Sequence, residues 1–183
     1  MKKSLTKQIA LTALLSSQAI ALSYLESLIP AITGFPPGAK PGFSNIVVMF
    51  SAQTLSIPQT LFIIIIKALF AGITRGFTAF FMSLAGGVLS GTAALILLRK
   101  EKIKLGYIGI GMVCAVLHNT GQLCVASLML GTASVFTGYG PFLMIASLLT
   151  GFITGTILKY ILPALNKQKN YIFRTNKKTG DQK

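Results

Sequence analysis

Apolar positions fall in long blocks separated by short polar or Gly/Pro-rich breaks. The first block runs from about Gln8 to Ile29 and stops at Pro30. The stretch Gly34-Phe35-Pro36-Pro37-Gly38-Ala39-Lys40-Pro41-Gly42-Phe43-Ser44 then interrupts the pattern. It cannot be an ordinary helix, because proline lacks a backbone donor and glycine does not hold the helical conformation. A short helix from about Asn45 to Leu55 follows, ended by the turn Ser56-Ile57-Pro58. A third helix is expected from Pro58 to about Gly72, a fourth from Phe77 to Leu98 and a fifth from Leu105 to about Leu130. After a small polar loop, 131–140, a sixth helix is expected from Pro141 to Leu162. Several of these runs approach the ~20 apolar residues needed to cross a bilayer. The pattern predicts an all-α integral membrane protein, a six-transmembrane-helix bundle over residues 1–166. A basic cytoplasmic tail, 167–183, closes the chain and has a composition that favours disorder.

Composition sharpens this picture. Half the chain, 52%, is hydrophobic and only 11% is charged, against about 25% charged in soluble domains. A net charge of +14 would suit nucleic acid, but its placement argues otherwise. Lys2, Lys3 and Lys7 open the chain, and Arg99, Lys100, Lys102 and Lys104 form a central block. Lys159, Lys167, Lys169, Arg174, Lys177, Lys178 and Lys183 close it. Six crossings with both termini cytoplasmic put all three blocks on the inner side of the cell membrane, as the positive-inside rule demands. Of the 17 basic residues, that leaves only Lys40, Lys67 and Arg75 outside or in the membrane. The lipid bilayer, not nucleic acid, is the implied partner. Ala19-Ile20-Ala21 imitates a signal-peptide cleavage site, but the run is long and continues into a polytopic chain.

Ionisable and amide side chains inside a membrane are costly, and are functional candidates by default. Glu26, Lys40, Asn45 and Arg75 are expected at or near the outer face, with Lys67 and the run His118-Asn119-Thr120-Gly121-Gln122 deeper. His118 and Gln122 stand one turn apart and share a helix face. Catalysis is not indicated. The only acids are Glu26, Glu101 and Asp181, and His118 is the only histidine. One His and one Glu make a poor metal site, and a Ser-His-Asp arrangement lacks its Asp. No phosphate-binding glycine loop of an ATPase is present. No catalytic residue, metal or cofactor is therefore assigned. Three cations against one carboxylate, with amide and imidazole donors beside them, instead suit a small anionic ligand such as a phosphate or carboxylate. The Gly34–Asn45 loop is expected to cover such a pocket. Lys40, Asn45, His118, Asn119 and Gln122 are expected to line it, and Arg75, Lys67 and Glu26 to lie nearby.

Small residues offer a second kind of signal. Ala13, Ser17 and Ala21 recur every four residues, a stripe suited either to internal packing or to docking on another membrane subunit. Gly72/Gly76, Gly87/Gly91 and Gly151/Gly155 imply close packing of the third, fourth and sixth helices. Cys114 and Cys124 lie about 15 Å apart on one helix, too far to bridge, and read as small packing residues.

Three motifs carry a family resemblance. Pro37-Gly38-Ala39-Lys40-Pro41-Gly42-Phe43-Ser44-Asn45-Ile46-Val47 resembles the P-G-V-K-L-G-L-A-N-I-V stretch of the Gx transporter family, also labelled heptaprenyl diphosphate synthase component I. Phe81-Met82-Ser83-Leu84-Ala85-Gly86-Gly87-Val88-Leu89-Ser90 resembles its second signature. Ala115-Val116-Leu117-His118-Asn119-Thr120-Gly121-Gln122-Leu123-Cys124-Val125-Ala126 resembles its third. Pro41, Phe43 and Ser44 depart from the pattern, where Leu, Leu and Ala are expected. That family is similar to the substrate-binding (S) components of energy-coupling factor (ECF) transporters. The resemblance implies capture of a micronutrient or cofactor precursor from outside, with a transmembrane coupling subunit and two ATPase subunits as partners. It implies docking through the Ala13/Ser17/Ala21 stripe. The alternative it leaves open is a non-catalytic membrane subunit tied to prenyl diphosphate synthase, quinone biosynthesis or flavin-based extracellular electron transfer.

Overall fold

The computed structural model describes residues 5–28, 40, 42–99 and 105–180, with side chains described as far as residue 163. Six helices follow in order: α1 (Leu5–Leu28), α2 (Asn45–Thr54), α3 (Ile57–Arg75), α4 (Phe77–Arg99), α5 (Tyr107–Leu130) and α6 (Ser134–Gly180). There is no strand among the described residues. Five helices are long and apolar enough to cross a membrane, α6 over its Ser134–Pro163 part. Large apolar side chains cover the outside, among them Ile73, Phe77, Leu128, Ile145, Leu149 and Tyr160. So continuous an exposed apolar surface belongs in lipid rather than water.

The exception in length is α2. Its ten residues rise about 15 Å, half the ~30 Å hydrocarbon thickness. It sits at the centre of the bundle, against α1, α3, α4 and α6, while α3, α4, α5 and α6 pack in sequence around it. Both ends of this half-length helix are tied. At its start, the Ser44 N–H and Oγ donate to the two Glu26 oxygens of α1 at 3.0 and 3.1 Å. At its end, Arg99 of α4 donates to the carbonyls of Ala52 and Leu55 at 2.9 and 2.6 Å. Those carbonyls would otherwise be among the unpaired acceptors every helix leaves at its C-terminus.

Local sequence accounts for the breaks. Ser56 precedes α3, its N–H and Oγ both donating to Gln59 Oε1 at 3.0 and 2.9 Å, with Pro58 in the first turn. α5 ends on Gly131 in the left-handed conformation. Apolar clusters then fill two levels. Met49, Ala52, Ala94, Ile110, Cys114, Leu158 and Leu162 join α2, α4, α5 and α6, and Leu15, Ala19, Val47, Leu55 and Ile63 join α1, α2 and α3. A separate cluster of Met82, Leu123, Ala126, Val135 and Leu143 joins α4, α5 and α6 nearer their other ends. A polar layer lies between these levels.

Three expectations are corrected. α6 begins at Ser134, not Pro141, so the loop of ten residues shrinks to a turn in which the Ser134 N–H bonds Thr132 Oγ1. The helix carries Pro141 internally and forgoes that one donor. Gly76 is a turn residue with φ 94° and no neighbour within 4 Å of a Cβ built there, so Gly72/Gly76 is not a packing pair. Cys124 faces outward, while Cys114 is buried.

Candidate functional site

The polar layer gathers residues from four helices, α1, α3, α4 and α5, and from the chain just before α2 around a cavity of about 10 Å³, lined by Ser23, Glu26, Lys40, Ser44, Lys67, Arg75, Ser83, His118 and Gln122. That is room for about one water molecule. The residues sit deep. Lys67 lies ten residues into α3 and His118 eleven into α5, each about 15 Å from the helix start and so near mid-membrane. Asn45, expected near the outer face, lies at the same depth. Its Oδ1 accepts a 2.6 Å hydrogen bond from Lys67 Nζ. Lys40 and Gly42–Ser44 therefore already lie inside the bundle before α2 begins.

Gln122 is the hub of one network. Its Oε1 accepts the Lys40 N–H at 3.0 Å, and its Nε2 donates to the Lys40 carbonyl at 3.2 Å and to Asn119 Oδ1 at 2.9 Å. Asn119 Nδ2 in turn donates to Ser147 Oγ of α6 at 2.7 Å. Asn119 thus points away from the cavity and ties α5 to α6, while His118 and Gln122, on the other face, line it. The Lys40 side chain reaches the Ser23 carbonyl near the end of α1. Lys40 lies outside the spanning helices, and burial, aided by the Arg75 charge, pushes its ammonium down to about 8.

Glycine shapes the wall around His118. Gly42 holds φ 91°, and a Cβ there would sit 2.9 Å from His118 Cδ2 and 3.0 Å from Asn45 Nδ2, so the chain just before α2 lies on the imidazole. Gly86 of α4 lies on the other side, where a Cβ would come 2.6 Å from His118 Nδ1. Gly121 of α5 meets the Gly86 backbone, a Cβ there standing 2.8 Å from its Cα. Only glycine at these three positions lets α4, α5 and the chain just before α2 converge on the ring.

The electrostatics are lopsided. Glu26 is the only acid among the described residues, and its oxygens are engaged by Ser44. Lys40, Lys67 and Glu26 are buried and Arg75 is half-buried. Three cations against one carboxylate leave a formal excess of two positive charges. The two lysines direct their ammonium hydrogen bonds to neutral oxygens, on Ser23 and Asn45. Asn45 Nδ2 is buried without a hydrogen-bond partner. Unpaired buried polar atoms cost about 1–3 kcal/mol each, so they mark where a further group would be favoured.

Of the sequence-predicted residues, the cavity brings together Glu26, Lys40, Lys67, Arg75, His118 and Gln122, with Asn45 and Asn119 one hydrogen bond behind. Of the Gly34–Asn45 stretch only Lys40 and Gly42–Asn45 are described. The remainder lies outside the described residues. Ser23, Ser44, Ser83 and Ser147 escaped the sequence reading, since an isolated serine in an apolar helix carries no distinguishing signal. Ala13, Ser17 and Ala21 are all exposed along α1, away from the cavity. Among the described residues no group of three or more His, Cys, Asp or Glu side chains could hold a metal ion.

A second, larger space lies elsewhere. An apolar chamber of about 750 Å³ opens between α1 and α6 with α2 as its floor, lined by residues such as Leu15, Leu22, Phe43, Val47, Phe50 and Leu158.

Fold and site together define a multi-pass helical membrane protein built around a buried, cation-rich polar cluster. The family profile described as heptaprenyl diphosphate synthase component I matches residues 15–161, and the chain belongs to that family. The matched span takes in every cavity-lining residue. No curated protein and no solved structure matches the chain.

Proposed function

We propose that this protein is a substrate-binding component of a cell-membrane importer of the ECF type. It takes a small anionic micronutrient or cofactor precursor from the outer side and releases it with the help of separate subunits that hydrolyse ATP. The observation that carries this reading is the excess of positive charge held by Lys40, Lys67 and Arg75 over Glu26 around a common cavity. Burying a charge without a counter-charge is expensive, and an anion is the species that would offset it. Asn45 Nδ2 would gain a partner in the same event. The cavity as it stands is too small for more than about one water, so entry requires Lys40 and Gly42 to move away from Gln122 and His118.

The site is assigned binding rather than chemistry, because its described residues set cations and amides around one carboxylate. Docking to a transmembrane coupling subunit is assigned to the exposed Ala13/Ser17/Ala21 stripe of α1. A mild-detergent pull-down of the tagged protein from its own membranes tests the assignment. Two ATPases and a membrane coupling protein are expected to co-purify. Recovery of a prenyl synthase subunit in their place would overturn it. The family description favours that second reading, a membrane subunit accessory to a prenyl diphosphate synthase.

A further inference from the structure

The 750 Å³ chamber and the small polar cavity share two walls. On α1, Leu22 lines the chamber while Ser23 and Glu26 line the polar cavity. On the chain entering α2, Phe43, Ile46 and Val47 face the chamber and Ser44 the cavity. The Ser44–Glu26 hydrogen bonds stand between them. A chamber of this volume falls in the ~300–1,000 Å³ range of small-molecule sites. Apart from Gln18 and Thr154 its lining is apolar. α1 packs on α2 and α3 and α6 on α5 and α2, which leaves the chamber open sideways to lipid between α1 and α6.

We infer that the ligand is an amphiphile, with a single hydrocarbon chain lying in this chamber and a phosphate-type head at the cation-rich cluster. The inference rests on the anion-binding reading above and adds to it the tail and its lateral route of entry. Charge complementarity fixes the polarity of the occupant. The formal excess of two positive charges matches a phosphate monoester dianion better than a carboxylate. The chamber next to it supplies what a water-soluble anion would not use, a dry apolar slot that runs on from the cluster along α1, α2 and α6. The chain gains by contact with fixed side chains rather than by leaving water, so its length and shape are read by fit.

The test uses the full-length protein in phosphatidylcholine nanodiscs with hexadecyl phosphate carrying a mid-chain diazirine. After photolysis, adducts are mapped by mass spectrometry. They are expected on chamber residues of α1, α2 and α6, and to fall by about tenfold or more in Lys67→Met, the scale of losing one charge-assisted contact. Ala21→Trp and Leu14→Trp should each suppress them, because both side chains line the chamber from exposed positions that tolerate bulk. Equal labelling by the uncharged diazirine alcohol would overturn the inference, leaving a groove that any lipid fills. Adducts spread over Ile73, Leu128 and Tyr160 on the general lipid face would overturn it too. Methyl phosphate separates the two readings. If it binds in a Lys67-dependent way while the long-chain probe does not, the anion site stands and the tail site falls. If neither binds, both fall.

Discussion

Gln122 of α5 holds Lys40 by both ends of one peptide unit, its Oε1 accepting the Lys40 N–H at 3.0 Å and its Nε2 donating to the Lys40 carbonyl at 3.2 Å. No other residue type of this length offers a donor and an acceptor side by side in that geometry. Gln122→Leu should lower stability by about 1–3 kcal/mol, since the Lys40 peptide and Asn119 Oδ1 all lose a buried partner. Thermal unfolding in detergent checks this. The same variant should make Lys40→Cys more reactive to a thiol reagent, because the clasp also shields that segment.

Glu26 balances the cations, so removing it should cost more than removing one of them. Glu26→Gln is expected to destabilise by about 3–5 kcal/mol, the scale for a buried charge left without its partner. Lys67→Met in the Glu26→Gln background should recover part of that loss. A double-mutant cycle measured by chemical unfolding reads the coupling. Strict additivity would show that the two charges do not sense one another.

Gly42 combines a left-handed backbone with contact on His118 and Asn45. Gly42→Ala should cost about 1–3 kcal/mol from the backbone alone, and more from the 2.9 Å approach to the imidazole. Gly131→Ala is the control. It keeps the positive φ and has nothing within 4 Å of the added methyl. The difference between the two melting shifts isolates the contact with His118.

Lys40 gives the proposed binding a pH dependence. Its ammonium is pushed down to about 8 by burial first and Arg75 second. Only the charged form attracts an anion, so affinity for methyl phosphate should be highest below that value and decline as pH rises through it. Stability should move the other way. The unfolded chain keeps Lys40 protonated up to its ordinary 10.5, so the fold gains stability between about 8 and 10.5. Titration calorimetry and unfolding across pH 7–10 read the two trends, and Lys40→Met should flatten both.

Orientation follows from the basic blocks. Gly38→Cys should react with a membrane-impermeant thiol reagent on intact cells, and Lys100→Cys only after lysis. The reverse pattern would place the termini outside.

The breaks in the helical pattern were legible because each rests on local chemistry: Pro58 with Ser56 and Gln59 before α3, Gly131 after α5. The start of α6 was not. Pro141 reads as a boundary in one dimension, yet a helix interior absorbs one missing donor when its first turn is secured by Thr132 and Ser134. The identities of the polar residues pointed to a shared layer, since few such groups occur in apolar helices. The depth of Asn45 was not legible, because it pairs with Lys67 across a contact that no periodicity encodes. Cys124 and Gly76 show the same limit, because a small residue says that something can come close, not that anything does.

The two-ended attachment of α2 has a mechanical meaning. Ten residues of hydrogen-bonded helix do not stretch, so Ser44 and the Ala52–Leu55 carbonyls move as one body. A shift at Glu26 on α1 cannot be absorbed within that body. Glu26 on α1 and the Arg99 guanidinium on α4 thus hold opposite ends of one short, stiff element, which joins the level of the polar cluster to the basic face of the protein.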